Sequence, residues 1–93
     1  MKVLEAAKLQ KFSRKYPASR KALNRFFAIA CAADWPHFPA LKQTFPAADY
    51  VPGTGRMIFD IGGNKYRLIA SVDFAEQLLL IEEILTHEQY DRT

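Results

Sequence analysis

The stretch from Met57 to Val72 constrains the fold of this chain more than any other. Two alternating apolar runs flank Gly62-Gly63-Asn64, residue types that take positive φ more readily than most, so the spacing predicts a β-hairpin with arms at Arg56–Ile61 and Lys65–Asp73. Side chains alternate across a strand. On the second arm Tyr66, Leu68, Ala70 and Val72 therefore share one face, and Lys65, Arg67, Ile69 and Ser71 share the other. Two cations beside Ile69 are unlike a uniformly polar solvent face. Two readings fit: a partly sheltered anion site, or an exposed strand on which Lys and Arg act as solubilising gatekeepers.

The segments around the hairpin supply the rest of a two-layer fold. Met1 to Leu4 reads as a short edge strand. From Glu5 to Lys15, Leu9 and Phe12, followed by Tyr16, recur at helical spacing among cations, an amphipathic helix that Pro17 ends. Ser19 then offers an N-cap to a second helix. Its stripe of Leu23, Phe26, Phe27 and Ala30 should pack on the sheet, and it stops near Asp34 and Trp35, before Pro36. His37 to Phe45 reads as a short helix or turn that holds Trp35 against the core, with His37 an exposed loop residue. Pro46 to Gly55, rich in Pro and Gly, reads as a loop and candidate binding loop leading into the sheet. After a turn at Phe74–Gln77, the apolar run Leu78–Leu85 reads as a third strand, central and buried on both faces. The expected fold class is α+β: two N-terminal helices packed on one face of a small antiparallel β-sheet.

A chain of 93 residues gives room for one domain, spanning 1–93, with a modest core. Its longest apolar run, Phe26 to Ala33, is well under the ~18 residues a membrane span requires. No secretory leader is apparent, so a cytoplasmic location is expected. Cys31 lies in that apolar run and is expected to be buried. Two histidines and one cysteine make a structural zinc site a poor fit, and neither metal nor cofactor is expected. The net charge of +3 is unevenly placed. Lys2, Lys8, Lys11, Arg14, Lys15, Arg20, Lys21 and Arg25 crowd the first segments against Glu5 alone, whereas Asp73, Glu76, Glu82, Glu83, Glu88 and Asp91 outnumber Arg92 in the tail. The basic end suits RNA phosphates or an acidic partner, or is simply a solvated helix face.

Several blocks of residues together carry a resemblance. These are Trp35 through Leu41-Lys42 to Phe45-Pro46, Ala48-Asp49-Tyr50-Val51, Phe59-Asp60-Ile61-Gly62-Gly63-Asn64-Lys65-Tyr66-Arg67-Leu68-Ile69, and Thr86-His87-Glu88-Gln89-Tyr90-Asp91. Over nearly its whole length the chain resembles HigB-type toxins of bacterial type II toxin-antitoxin systems, within the RelE-like superfamily of messenger RNA endonucleases. It departs from that pattern at Asp60, where members often have Asn, and at Glu82, where many have Arg. The second departure removes a cation from the third strand.

The resemblance implies a small toxin that cleaves messenger RNA, usually within the ribosome, without a metal, and that a cognate helix-turn-helix antitoxin (HigA-like) silences. In such cleavage a ribose 2′-OH attacks the adjacent phosphorus, a base takes its proton, cations stabilise the phosphate oxygens, and an acid protonates the departing 5′ oxygen. Arg67 matches the position best suited to clamp the phosphate in a bidentate way. His87 and Tyr90, three apart after the last strand, are the candidate proton carriers, with Asp91 either orienting one of them or serving as a surface acid. The candidate substrate-binding residues are Lys65, Tyr50 and Arg56, Tyr50 as a platform for an exposed base. Read without the resemblance, no acid-base pair is visible. A non-catalytic RNA- or protein-binding module, or a degenerate toxin that keeps only antitoxin binding, then remains the rival.

Overall fold

The computed structural model describes residues 1–91, so Arg92, counted in the charge of the tail, lies outside the described residues. The elements run β1 (Lys2–Leu4), α1 (Ala7–Lys15), a 3-10 turn at Pro17–Ser19, α2 (Arg20–Ala32), α3 (Phe38–Thr44), β2 (Asp49–Val51), β3 (Arg56–Ile61), β4 (Tyr66–Asp73), β5 (Leu78–Thr86) and α4 (His87–Asp91). The strands form one sheet in the order β1-β5-β4-β3-β2. The α+β class and the placing of helices on one sheet face agree with the sequence. One pairing does not.

The sheet is antiparallel except at its β1 edge, where Lys2–Leu4 runs parallel to Leu78–Leu80. That edge joins two strands separated by all the other strands and three helices, a pairing that periodicity within either segment cannot reveal. The hairpin forms as the sequence predicts, with Asp60 opposite Arg67 and Ile61 opposite Tyr66. Gly62 and Gly63 both have positive φ in its turn, and a Cβ on Gly62 would press on the Tyr66 ring at 3.4 Å. The expected loop at 46–55 contains β2, because its backbone finds a partner along the edge of β3.

Leu9, Leu23, Phe26, Ala30 and Leu41 from the helices meet Met57, Phe59, Ile61, Leu68, Ala70, Leu79 and Ile81 from the sheet in one buried core. Phe26, Phe45 and Phe59 form an aromatic knot with centroids 5.0–5.4 Å apart. Truncating Phe26 to Ala would cost about 3–5 kcal/mol. Trp35 is buried against this knot as expected, and its Nε1 donates to Thr44 Oγ1 at 3.0 Å.

Several local expectations are corrected. The stripe on α2 is narrower than the apolar run, so Phe27 and Cys31 point outward and are exposed. Ser19 has helical dihedrals and its hydroxyl donates to the Tyr16 carbonyl, so it closes the preceding turn and does not cap α2. His37 is exposed, as expected, but it also caps α3, its Nδ1 accepting from the Ala40 amide at 3.2 Å. β5 is an interior strand, while β4 holds the middle of the sheet, and β5 is buried on one face only. Helices cover Leu79 and Ile81, whereas Leu80 and Glu83 are exposed.

A β-bulge in β5 reconciles its pattern with that single covered face. Ile81 pairs with Ala70 and Glu83 with Ile69, leaving Glu82 as the extra residue. Ile81 and Ile84, three apart, can then both turn to the core while both glutamates face away.

Candidate functional site

The uncovered face of the sheet holds the candidate residue Arg67, and the end of β5 brings His87 beside it. Arg67 stands there beside its cross-strand neighbour Asp60, whose Oδ1 accepts from Arg67 Nε at 3.1 Å. Nη1 donates to the Tyr66 carbonyl at 3.2 Å and Nη2 to Asn64 Oδ1 at 2.5 Å. Only 11% of the Arg67 side chain is exposed. A guanidinium so tethered from the turn and the neighbouring strand is aimed before any ligand arrives, and this lowers the ordering cost of binding.

The C-terminal end of β5 delivers the second part. The His87 amide donates to the Lys65 carbonyl at 2.8 Å, which extends the β4–β5 pairing by one step. The chain then turns into α4 through a capping box: Thr86 Oγ1 accepts from the Gln89 amide at 3.1 Å, and Gln89 Oε1 accepts from the Thr86 amide at 3.0 Å. This reciprocal pair sets the direction of the one-turn helix. His87 and Tyr90 accordingly come to one side, beside Arg67.

His87 Nδ1 lies 3.3 Å from Arg67 Nη2, and the Arg67 guanidinium lies over the Tyr90 ring at 5.5 Å. Arginine has no acceptor, so Nδ1 must accept this bond. A neutral His87 ring then carries its proton on Nε2, which faces Asp91 Oδ2 at 3.1 Å. The geometry leaves the Nδ1 lone pair occupied by the arginine that would bind an anion. Displacing one Arg67 bond with a phosphate oxygen would free that lone pair. With 44% of the His87 side chain exposed, the approach from solvent is open.

The other candidates are placed apart. Lys65 is exposed in the hairpin turn next to His87. Arg56 shares the open face but lies at the far end of β3, where its Nη2 pairs with Glu82 Oε1 at 3.3 Å and where Glu82 also accepts from Ser71 Oγ at 2.5 Å. Glu82 is thus occupied with Arg56 and Ser71, and that strand pair lies roughly 13 Å along β4 from Arg67 at about 3.3 Å per residue. Tyr50 pairs with Met57, on the helix-covered side, and its ring lies 6.0 Å from that of Phe38. It is 46% exposed but on the opposite face of the sheet from Arg67.

Sequence reasoning missed Asn64 and Asp60 as the tethers of Arg67, and Gln89 as the partner of Thr86. The signal for the last was present, since Thr-x-x-Gln ahead of a short helix is a capping-box spacing. Asp60 was legible as well, once the hairpin register set it opposite Arg67.

Comparison with known proteins places this geometry in context. A family model described as HigB_toxin, RelE-like toxic component of a toxin-antitoxin system, matches residues 19–93 and so spans every residue of the cluster. The chain is similar to a protein of Escherichia coli O6:H1 named mRNA interferase HigB, at 26% identity over 93 residues, covering 99% of this chain and 90% of that one. It is also 28% identical over 92 residues to the mRNA interferase toxin HigB of Escherichia coli K12 and to the mRNA interferase HigB of Shigella flexneri, covering 98% of this chain and 88% of each.

Proposed function

The chain belongs to the HigB family of RelE-like toxic components of toxin-antitoxin systems, and from that premise we propose that it is a metal-independent endoribonuclease that cleaves messenger RNA on the ribosome. The observation that carries this reading is the convergence of Arg67, His87 and Tyr90 at one end of the open sheet face. A phosphate clamp and two proton carriers within reach of one another are what attack by a 2′-OH requires.

The scissile phosphate enters against Arg67, and its oxygens replace part of the Asn64 and His87 bonds. His87 Nδ1, released, takes the proton of the 2′-OH as that oxygen bonds to phosphorus. Charge developing on the non-bridging oxygens rests on the guanidinium, which Asp60 keeps oriented. As the bond from phosphorus to the 5′ oxygen breaks, the Tyr90 hydroxyl supplies the proton that the departing oxygen needs. The products are a 2′,3′-cyclic phosphate and a free 5′-hydroxyl. Asp91 holds the His87 ring by Nε2 at 3.1 Å. Each role falls to a side chain of the cluster, which supports a reaction without a metal or cofactor.

The toxin role implies a cognate antitoxin, proposed to be a helix-turn-helix (HigA-like) protein, and an RNA substrate. Residues 1–93 are proposed to act as one toxin domain in the cytoplasm. Among the described residues no helix is long and apolar enough to cross a membrane. The cations of α1 and α2, including Lys11, Arg14, Lys21 and Arg25, have no carboxylate partner among the described residues. They suit the acidic surface of an antitoxin. Lys11→Glu with Arg14→Glu is expected to weaken the antitoxin complex about tenfold at low salt and less at high salt, by titration calorimetry.

Expression of the chain alone in a bacterium tests the main reading. Growth arrest is expected, together with cleavage of a defined messenger on purified ribosomes in the presence of EDTA. A wild-type chain that neither arrests growth nor cuts would leave a non-catalytic binding module.

A further inference from the structure

A second cavity adjoins the cluster from the α1 side and shares His87 with it. It holds about 610 Å³ between the end of α1 and the start of α4, with Tyr16, Lys65, Thr86, His87, Glu88 and Gln89 on its walls. We propose that this cavity takes the nucleobase of a nucleotide next to the scissile phosphate, stacked on Tyr16, and that it sets base preference at the cut. The proposal rests on the reading of Arg67 and His87 as the reacting pair. If His87 acts on the 2′-OH, a space bounded by the same imidazole is where the adjoining nucleotide must go.

Size, aromatic surface and charge agree. The volume lies within the usual range for small-ligand sites, ~300–1,000 Å³, and far exceeds what a lone phosphate fills. Tyr16 is half-buried and held by Phe12, at 4.7 Å between centroids, and by Tyr66, at 6.4 Å. A ring so braced is a rigid platform. The ammonium of Lys15, an exposed residue, lies over the same ring at 5.6 Å. Single-stranded RNA is commonly read by stacking on such rings.

The remaining walls distinguish a base from a phosphate. Lys65 is exposed at the edge of the cavity and has no carboxylate partner among the described residues, so it can meet the backbone of the bound strand. Glu88, also on the wall, would repel a phosphate. The Gln89 amide oxygen is committed to Thr86, which leaves its amide hydrogens to donate. Uracil offers its N3–H and O4 to such groups as readily as an amino-bearing base does, so the preference set on Tyr16 is that of stacking, purines over pyrimidines.

Uncleavable dinucleotides, with a 2′-deoxy first sugar and each base in turn, provide a test that needs no turnover. Titration followed by NMR should show tighter binding of purine than of pyrimidine dinucleotides. Tyr16→Leu should lower affinity roughly 5- to 100-fold and flatten the preference, and Tyr16→Phe should retain both. Arg67→Ala should weaken every dinucleotide alike. Tyr16→Leu or Tyr16→Ala, folded by circular dichroism, that binds all the dinucleotides with wild-type affinity and preference overturns the base pocket. So does a Tyr16 variant whose only defect is loss of antitoxin binding. Both results leave the reacting pair standing. Wild-type cleavage by Arg67→Ala and His87→Ala would instead strike that pair, and the pocket with it.

Discussion

Arg67 and Arg56 sit on the same open face of the sheet, each beside a carboxylate, yet their settings differ in almost every other respect. Arg67 is 11% exposed and its guanidinium is tied to Asp60, Asn64 and the Tyr66 carbonyl, with an imidazole and a phenol ring against it. Arg56 is 53% exposed, and among the described residues its side chain has one partner, Glu82. An exposed pair of that kind contributes little and yields easily to competing ions. The contrast teaches that charge alone does not make a site on this face. What separates the two ends is the number of groups that fix the guanidinium and the presence of a proton carrier beside it.

The sharpest way to break this comparison is His87→Ala. It should lower messenger cleavage by about 10²–10⁴ and change the shape of the pH–rate profile as well as its height. A folded variant that cuts at the wild-type rate across the pH range would return His87 to a structural role at the end of β5. Arg67→Ala should cost about 10²–10³ at every pH, because a permanently protonated guanidinium stabilises charge without exchanging protons. Arg56→Ala, assayed alongside, should stay within about tenfold of wild type. Equal losses from the two arginines would mean that the tethers around Arg67 do not set it apart from Arg56.

Tyr90→Phe sharpens it further. Removing the hydroxyl should slow single-turnover cleavage by on the order of 10²-fold while leaving RNA affinity intact, since the ring under Arg67 remains. Tyr90→Ala should lose affinity too. The smallest effect has the opposite sign: Glu82→Gln removes the partner of Arg56 and should tighten RNA binding a few-fold at low salt, a gain that vanishes as salt rises. Weaker binding by this variant would mean that Glu82 orients Arg56 for RNA and does not neutralise it.

Much of this arrangement is legible in the sequence. The hairpin follows from two alternating arms around Gly62-Gly63-Asn64, and the parity of β4 alone places Arg67 opposite the core-facing Leu68 and Ala70. The helical stripe is legible through Leu23, Phe26 and Ala30. It misleads at Phe27 and Cys31 because an apolar run wider than the contact stripe cannot say which of its edges meets the sheet. Residue type alone points to Tyr50 as a substrate contact, and only the pairing of β2 with β3 shows that it lies on the covered side. The parallel partner of β1 and the strand inside 46–55 depend on contacts between distant segments, which no local period encodes. The meeting of Arg67 with His87 is of the same kind, since it needs the β4–β5 register to bring the ends of two strands together.

The extra residue in β5 also determines how the gene tolerates a lost codon. Excising either Glu82 or Glu83 would let the ladder close with Ile81 still opposite Ala70, Ile84 still opposite Leu68, and every residue beyond on its present face. Excising a codon between Leu79 and Ile81 gives no such repair: holding the downstream half in place would move one of the core aliphatics to solvent and a neighbour inward. The strand therefore has a single soft point in an otherwise rigid reading frame. Variation in length can accumulate there while His87 continues to arrive beside Arg67.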